Sequence, residues 1–275
     1  MMINKNNPFS LEGKVIIVTG ATGVLGESFV NAIAEAGGSV AILGRKEAVA
    51  KERAEAITAK GGKAIAVVAD VLNEESLIKA KEQVLAAFGR IDGLVNGAGG
   101  NMPGAVVDPS ADIFKLDIPA LKQVLDLNLF GSVLPTQVFG AEIAKTGNGS
   151  IVNISSMASQ RVITKVLGYS MAKTAIDSYT KWFAVELANR YKDQIRMNAI
   201  APGFFLTEQN RTLLTKEDGS FTDRGNLVIK QTPYKRFGKA EELEGALIWL
   251  LSDASKFVTG TIINVDGGFA TFGGV

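Results

Sequence analysis

The chain of 275 residues contains no cysteine and no histidine. Without cysteine there is no disulfide, no thiolate nucleophile and no zinc–thiolate site, which suits a reducing compartment. Without histidine the Ser-His-Asp triad, histidine-ligated metal centres and the usual neutral-pH base all fall away. Proton transfer is left to a carboxylate, a lysine or a tyrosine. A charge excess of either sign is missing as well. Lys plus Arg number 29 against 28 Asp plus Glu, a net +1, so no global field gathers nucleic acid or anionic lipid. No run of about 18 uninterrupted apolar residues is present to span a membrane. The polar, Asn-rich segment from Met1 to Gly13 lacks the basic-then-apolar order of an export signal. The expectation is a cytoplasmic protein that uses no metal, binds neither nucleic acid nor membrane, and acts on a small molecule.

What is present has the make-up of an ordinary globular protein, 47% apolar and 21% charged. At this length roughly 70 to 75% of the unfolded surface can be buried. Short apolar runs alternate with longer stretches of helical period. Strands are predicted at Val15–Thr19, Val40–Leu43, Ala64–Ala69, Gly93–Asn96, Ser150–Ser155, Ile195–Ile200 and Thr261–Val265. Helices are predicted at Leu25–Ala36, Glu47–Ala59, Glu74–Phe88, Leu121–Lys145, Tyr169–Arg190 and Ala240–Leu251. Parallel strands need crossover helices, and right-handed crossovers cover both faces of the sheet. The predicted fold is α/β: a Rossmann-type, doubly wound, seven-stranded parallel sheet in three α/β/α layers, one domain over residues 1–275. Gly97–Ala120 and Phe204–Gly238 lie outside the alternation and follow strand ends, where α/β sheets bind ligands. They are the candidate substrate loops.

Directly after the first strand stands Thr19-Gly20-Ala21-Thr22-Gly23-Val24-Leu25-Gly26, opening a helix. Gly20 suits a tight turn, Gly23 lets backbone approach a diphosphate, and Gly26 permits close helix–sheet packing. The helix N-terminus then faces the anion. Among 30 glycines such spacing also arises as a plain turn or for another phosphate ligand; the strand before and helix after favour a dinucleotide. The second strand ends at Gly44, where an NAD site usually carries an acid for the ribose. Arg45 follows instead, and a guanidinium suits a 2′-phosphate unless it is simply solvated. The cofactor is thus NADP or NAD, with NADP favoured. Asp70 either holds adenine or caps the helix at Glu74 and Glu75. The small residues after Asn96 leave room for adenosine ribose.

Tyr169 and Lys173, four apart in a helix, share one face. Such pairs are common on surfaces, but a cation about 4 Å from the phenol is worth roughly 4 kcal/mol, enough to bring it toward neutrality. Ser155 and Ser156 end a strand at the same sheet edge, where a hydroxyl can hold a substrate carbonyl while the phenol donates its proton.

The glycine loop, Asn96-Gly97-Ala98-Gly99, Asn128, the strand-end serines, Tyr169-Ser170-Met171-Ala172-Lys173 and Pro202-Gly203 together resemble the short-chain dehydrogenase/reductase family over nearly the whole chain. That resemblance selects Ser156 over Ser155, and implies catalysis by Asn128, Ser156, Tyr169 and Lys173. Asn128 would link the lysine to a water relay. Implied cofactor contacts are Gly20, Thr22, Gly23, Leu25, Gly26, Arg45, Asp70, Val71, Asn96, Ala98, Gly99, Tyr169, Lys173, Pro202, Gly203 and Thr207, the last on the nicotinamide amide. A homotetramer is also implied, although Trp182, Phe183 and Val185 read equally as interface or core. The family usually carries a second Asn where Gly97 stands, and this departure is expected to spare catalysis while loosening local backbone hydrogen bonds.

Around the expected pocket lie Arg161, Lys165, Arg211 and Arg224, able to read a carboxylate, and Asn101, Gln160, Gln209 and Asn210, able to bond hydroxyls. Each alone is also an ordinary solvated loop residue. Asn101, Arg161, Gln209 and Arg211 are the substrate candidates for a polar ketone or alcohol. Gly203–Leu214, the insert Lys216–Tyr234, Asn101-Met102-Pro103-Gly104 and the Phe269–Val275 tail resemble the family's D-mannonate oxidoreductase (fructuronate reductase) members. The resemblance implies interconversion of D-fructuronate and D-mannonate. Gluconate 5-dehydrogenase and 3-oxoacyl-carrier-protein reductase are the enzymatic alternatives, and an NAD(P)-binding sensor or scaffold the non-enzymatic one.

Overall fold

The computed structural model describes residues 7–274, apart from the side chains of residues 208 and 209. β1 (Val15–Thr19) is buried along its whole length and leads through a short turn into α1 (Val24–Glu35). Then follow β2 (Ser39–Gly44), α2 (Glu47–Ala59), β3 (Lys63–Val68), α3 (Glu74–Phe88) and β4 (Gly93–Asn96). The ends of α3 show how local sequence sets a boundary. Asn73 Oδ1 accepts the Ser76 N–H at 2.9 Å, Glu74 and Glu75 sit at the positive end of the helix dipole, and Gly89 at φ 77° stops the helix.

The second half runs α4 (Ile118–Leu125), α5 (Gly131–Lys145), β5 (Gly149–Ile154), α6 (Leu167–Tyr191), β6 (Ile195–Pro202), α7 (Glu208–Leu214), α8 (Asp223–Gln231), α9 (Glu244–Leu251) and β7 (Ile262–Val265). The seven strands form one parallel sheet in the order β3-β2-β1-β4-β5-β6-β7. Ile16 and Val18 of β1 pack with Phe29, Ile33, Ile57 and Leu247 on one face. Val15 and Ile17 pack with Leu77, Phe139, Ile143 and Leu187 on the other. This is the predicted three-layer Rossmann architecture, and its strand order reverses between β1 and β4, opening a crevice at their carboxyl ends.

Two predicted elements differ from the sequence expectation. The helix expected from Leu121 to Lys145 starts earlier, at Ile118, because Asp117 Oδ1 caps it by accepting the Ala120 N–H. It is also interrupted by a π-helical segment, Asp126–Phe130. Asn128 Nδ2 donates to the Val124 carbonyl at 2.8 Å, entering the helical ladder, and Pro135 removes a backbone donor further on. The 204–238 segment, expected as loop, contains α7 and α8. Leu214, Val228 and Phe237 give it a small apolar core of its own, packed against Phe204, Leu206 and Ile229. Among the described residues no helix is long and apolar enough to cross a membrane, and no cluster of acidic residues is placed to hold a metal ion.

Candidate active site

The glycine loop joins β1 to α1 with Gly20 at φ 67°, a conformation L side chains rarely adopt. A Cβ on Gly26 would come within 2.5 Å of the Gly20 carbonyl, so this glycine is required by packing inside the loop. Gly23 differs: it is exposed, and a Cβ there would meet nothing nearer than Gly20 O at 3.4 Å. The space it leaves lies outside the loop, at the first turn of α1, whose N–H groups have no intrahelical acceptors. This cradle fits the diphosphate of a dinucleotide. Arg53 of α2, overlooked in the sequence, holds the loop from behind. Its guanidinium donates to the carbonyls of Ala21 and of Gly23 (2.8 Å), and pairs with Glu27 at 2.9 Å.

Thr22 packs over Gly44, where a Cβ would meet Thr22 Cγ2 at 2.8 Å and Oγ1 at 2.9 Å. The missing ribose acid is thus replaced by threonine filling its space, and Arg45 projects exposed beside it. Asp70 is not the cap of α3, since Asn73 is; its Oδ1 accepts the Leu72 N–H at 2.9 Å. Val71 is buried, in contact range of Gly131. The Asn96 amide is turned into the protein, donating to Thr136 Oγ1 at 3.0 Å and Asn153 Oδ1 at 2.8 Å. Its side chain locks β4 to β5 and α5, which leaves the backbone of Ala98 and Gly99 to line the crevice. The loosening expected at Gly97 does not occur. Thr19 Oγ1 accepts both the Gly97 N–H (3.1 Å) and the Ala98 N–H (3.2 Å), and a Cβ on Gly97 would lie 2.8 Å from Thr19 O.

At the sheet centre Tyr169, Lys173 and Ser156 converge on one cavity, about 260 Å³ in volume, with Leu25, Gly99, Pro202, Gly203 and Thr207 also in its walls. Gly168 brings α6 against Leu121 of α4, and Tyr169 packs against the cluster of Ala105, Ala120 and Val124. Burial pushes the Tyr169 phenol above its ordinary value, and a hydrogen bond with Ser156 pulls it back. Lys173 is 4% exposed, donates to the Ile154 carbonyl at 2.8 Å, and lies 5.4 Å from the Tyr169 ring centroid. Burial lowers Lys173 from 10.5 to about 8, with the Asp177 carboxyl pulling the other way. The expectation that Lys173 brings the phenol toward neutrality considers the cation alone; burial of the phenol acts in the opposite direction and is the larger influence on it, with Ser156 pulling back.

Asn128 is fully buried and reads the Gly100 backbone twice, its Oδ1 accepting from Gly100 N (2.9 Å) and its Nδ2 donating to Gly100 O (2.7 Å). A Cβ on Gly99 would reach both Asn128 Oδ1 (2.7 Å) and Lys173 Nζ (3.3 Å), so the three are neighbours. Ser155 and Ser156 part company. Ser155 Oγ donates to Asp177 Oδ1 at 2.5 Å, while Ser156 faces the phenol and accepts from Ala158 N. Ser159 Oγ lies 2.6 Å from Asp177 Oδ2.

The substrate candidates separate. Asn101 and Arg224 line the cavity. Arg161 is exposed and donates to the Phe272 carbonyl at 3.2 Å, and Arg211 is exposed on α7; neither reaches the cavity. Lys165 is held at φ 74° in the loop, also away from it. Gln160 is taken up by a two-way amide pair with Asn264, and Asn210 by the Thr207 N–H and the Phe205 carbonyl. The side chain of Gln209, and Val275 of the tail, lie outside the described residues.

A family model described as enoyl-(acyl carrier protein) reductase matches residues 20–270. The Bacillus subtilis (strain 168) uncharacterized oxidoreductase UxuB is 44% identical over 97% of this chain and 98% of its own. A Haemophilus influenza protein provisionally assigned as a D-mannonate oxidoreductase, crystallised with bound NAD, superposes at a TM-score of 0.90 with 40% identity, covering 97% and 98% of the two chains. A gluconate 5-dehydrogenase of Burkholderia cenocepacia J2315, in complex with NADP and tartrate, superposes at 0.85 with 31% identity over 96% and 98%. This chain belongs to the short-chain dehydrogenase/reductase family. It is an oxidoreductase of that family, built on an NAD(P)-binding Rossmann fold.

Two features of this family member were not anticipated from sequence. Arg53 carries no motif, since it acts from the next helix on carbonyls that any residue possesses. Asp177 did leave a signal: Tyr169, Lys173 and Asp177 are spaced by four, which puts all three on one stripe of α6.

Proposed function

We propose that the protein interconverts a ketone and a secondary alcohol on a polar sugar acid, with D-fructuronate and D-mannonate as the pair. The observation that carries the oxidoreductase chemistry is the convergence of Ser156, Tyr169 and Lys173 on one cavity that Leu25 of the glycine loop also lines. The sugar-acid part draws on the assignment of the Haemophilus relative and on the NADP and tartrate held by the Burkholderia one.

Gly20, Thr22, Gly23, Leu25 and Gly26 would hold the diphosphate side of the dinucleotide, Asp70, Val71, Ala98 and Gly99 its adenosine, and Pro202, Gly203 and Thr207 its nicotinamide. When bound, that group supplies or accepts the hydride. Ser156 donates a hydrogen bond to the ketone oxygen and fixes its position. Tyr169 gives its phenolic proton to the same oxygen, so the alcohol forms. Lys173 stabilises the phenolate left behind, and Asn128 holds the loop that faces Lys173 and connects the lysine to a proton supply. Arg45, next to the acid-free Gly44, favours NADP, although the Haemophilus relative was crystallised with NAD. A homotetramer and a cytoplasmic setting belong to the same proposal.

The test is a steady-state screen of NADH and NADPH against D-fructuronate, 5-ketogluconate and an acetoacetyl thioester. D-Fructuronate is expected to be reduced fastest; turnover of the thioester alone would overturn the sugar-acid assignment, and turnover of 5-ketogluconate alone would replace the substrate pair.

A further inference from the structure

Among the described residues, four of the nine arginines have their charge answered by a carboxylate. Arg53, Arg90, Arg190 and Arg236 pair with Glu27, Asp92, Glu186 and Glu242. Arg196, buried, donates to the carbonyls of Leu250 and Ser252. Arg45, Arg161 and Arg211 are exposed to water. Arg224 fits none of these groups. It is half-buried in the cavity wall, has no ion pair among the described residues, and is tethered by neutral contacts alone: Nη1 to Thr164 Oγ1 (3.2 Å) and Nη2 to Thr164 O (3.0 Å). Two hydrogen bonds leave part of the five-donor fork for another acceptor, and the planar fork matches a carboxylate.

A second unmet group lies in the same cavity. Asn101 Oδ1 is buried and accepts no hydrogen bond among the described residues. Buried acceptors of this kind are rarely left unpaired, and Asn101 is part of the cavity wall, where a ligand can supply the donor. Ile163, Val166, Leu213 and Leu214 form apolar wall around these groups, which excludes water and strengthens any charge pair made there. At about 260 Å³ the cavity is at the small end of ligand sites.

We propose that Arg224 binds a substrate carboxylate and Asn101 accepts a hydrogen bond from a substrate hydroxyl, so that the cavity takes a small hydroxylated keto acid with its ketone oxygen at Ser156 and Tyr169. The assignment rests on the sugar-acid reading of the site and adds to it the residues that enforce the acid and the hydroxyl. It also makes α8, which carries Arg224 and is tied across to Thr164, the part of the insert that discriminates substrates.

The test compares D-gluconate with its uncharged counterpart D-glucitol, titrated calorimetrically into the dinucleotide-loaded enzyme. Gluconate is expected to bind wild type about ten- to a hundred-fold more tightly, as one charge-assisted pair provides. Arg224→Gln should erase that preference while leaving glucitol affinity within a few-fold. Should the Gln variant not fold, as judged by its melting curve, Arg224→Lys removes the paired geometry and should cut gluconate affinity several-fold with glucitol unchanged. Asn101→Ala should weaken both ligands alike. No preference in wild type, or a preference that survives at Arg224→Gln, would overturn the assignment. A gluconate preference that depends on Arg224, together with no turnover of D-fructuronate, would instead sink the substrate pair and leave the carboxylate site standing.

Discussion

Lys173 stands over the ring of Tyr169, its Nζ 5.4 Å from the centroid, while its hydrogen bond goes to the Ile154 carbonyl. The ring and the oxygen of the tyrosine therefore do separate things. The ring lies under the cation and packs against the cluster of Ala105, Ala120 and Val124, and the oxygen faces Ser156. Tyr169→Phe keeps the first and removes the second. Turnover should fall by about 10²- to 10⁴-fold, with NAD(P)H affinity by fluorescence titration unchanged. Retained turnover would remove Tyr169 from the chemistry.

Lys173 also sets a pH dependence of stability. Its folded value, about 8, lies below its ordinary 10.5, so the unfolded chain binds its proton more tightly. Below pH 8 the full cost of burying the cation is present, on the order of 3 kcal/mol; between pH 8 and 10.5 that cost disappears as the folded lysine loses its proton. Lys173→Met should therefore melt higher than wild type at pH 7, and the gap should close toward pH 10.5. A gap that stays constant from pH 7 to 10 in thermal denaturation would show that the lysine carries no burial penalty.

Gly23 and Gly26 should fail differently when given a methyl group. Gly26→Ala drives a Cβ to 2.5 Å from Gly20 O and to 2.6 Å from the Ala21 Cα, so the loop must shift and the protein should lose ~1–3 kcal/mol of stability. Gly23→Ala has room in the protein itself and should melt within about 1 kcal/mol of wild type. Its Cβ instead occupies the approach of the diphosphate, so dinucleotide affinity should fall at least about ten-fold, as one crowded or lost charge-assisted contact implies. Undiminished NAD(P)H binding by Gly23→Ala would place the diphosphate elsewhere.

Asp177 lies two turns along α6 from Tyr169 and takes the Ser155 hydroxyl at the end of β5. Asp177→Ala should leave Ser155 without its acceptor, while Ser159 keeps the Ser156 carbonyl (2.7 Å), and cost ~1–3 kcal/mol. The loosened strand end carries Ser156, so kcat should fall more than the dinucleotide affinity does. Asp177→Asn, which retains one acceptor oxygen, should recover part of both losses. Equal effects of Ala and Asn on kcat would reduce Asp177 to filling space.

The parallel sheet and the dinucleotide crevice were legible because they rest on local patterns: apolar runs buried on both faces, and glycines at fixed offsets between a strand and a helix. Strand and helix ends fell within a few residues. The Tyr169–Lys173 pair was legible for the same reason, since a four-residue spacing within one helix fixes geometry. Legibility ended where chain folds on chain. Nothing local told Arg161 from Arg224, yet one reaches the tail carbonyl of Phe272 and the other the cavity. The π-helical turn at Asn128 arises from a side chain competing with its own helix, which apolar periodicity does not record. α7 and α8 were hidden because their apolar cluster is small and draws on residues far apart, Phe204 and Phe237 among them. The ionisation of Tyr169 depends on burial of the phenol, which the four-residue spacing to Lys173 does not reveal.

Arg53 has a consequence for engineering. The nucleotide loop of this protein is braced from a different helix, by a guanidinium bonded to the carbonyls of Ala21 and Gly23. Transplanting residues 19–26 onto another sheet would carry over the letters of the signature and leave its brace behind. A homologue that has exchanged this arginine would still score as an intact binder by motif, while its loop amides had lost their fixed aim. The portable unit is the loop together with α2.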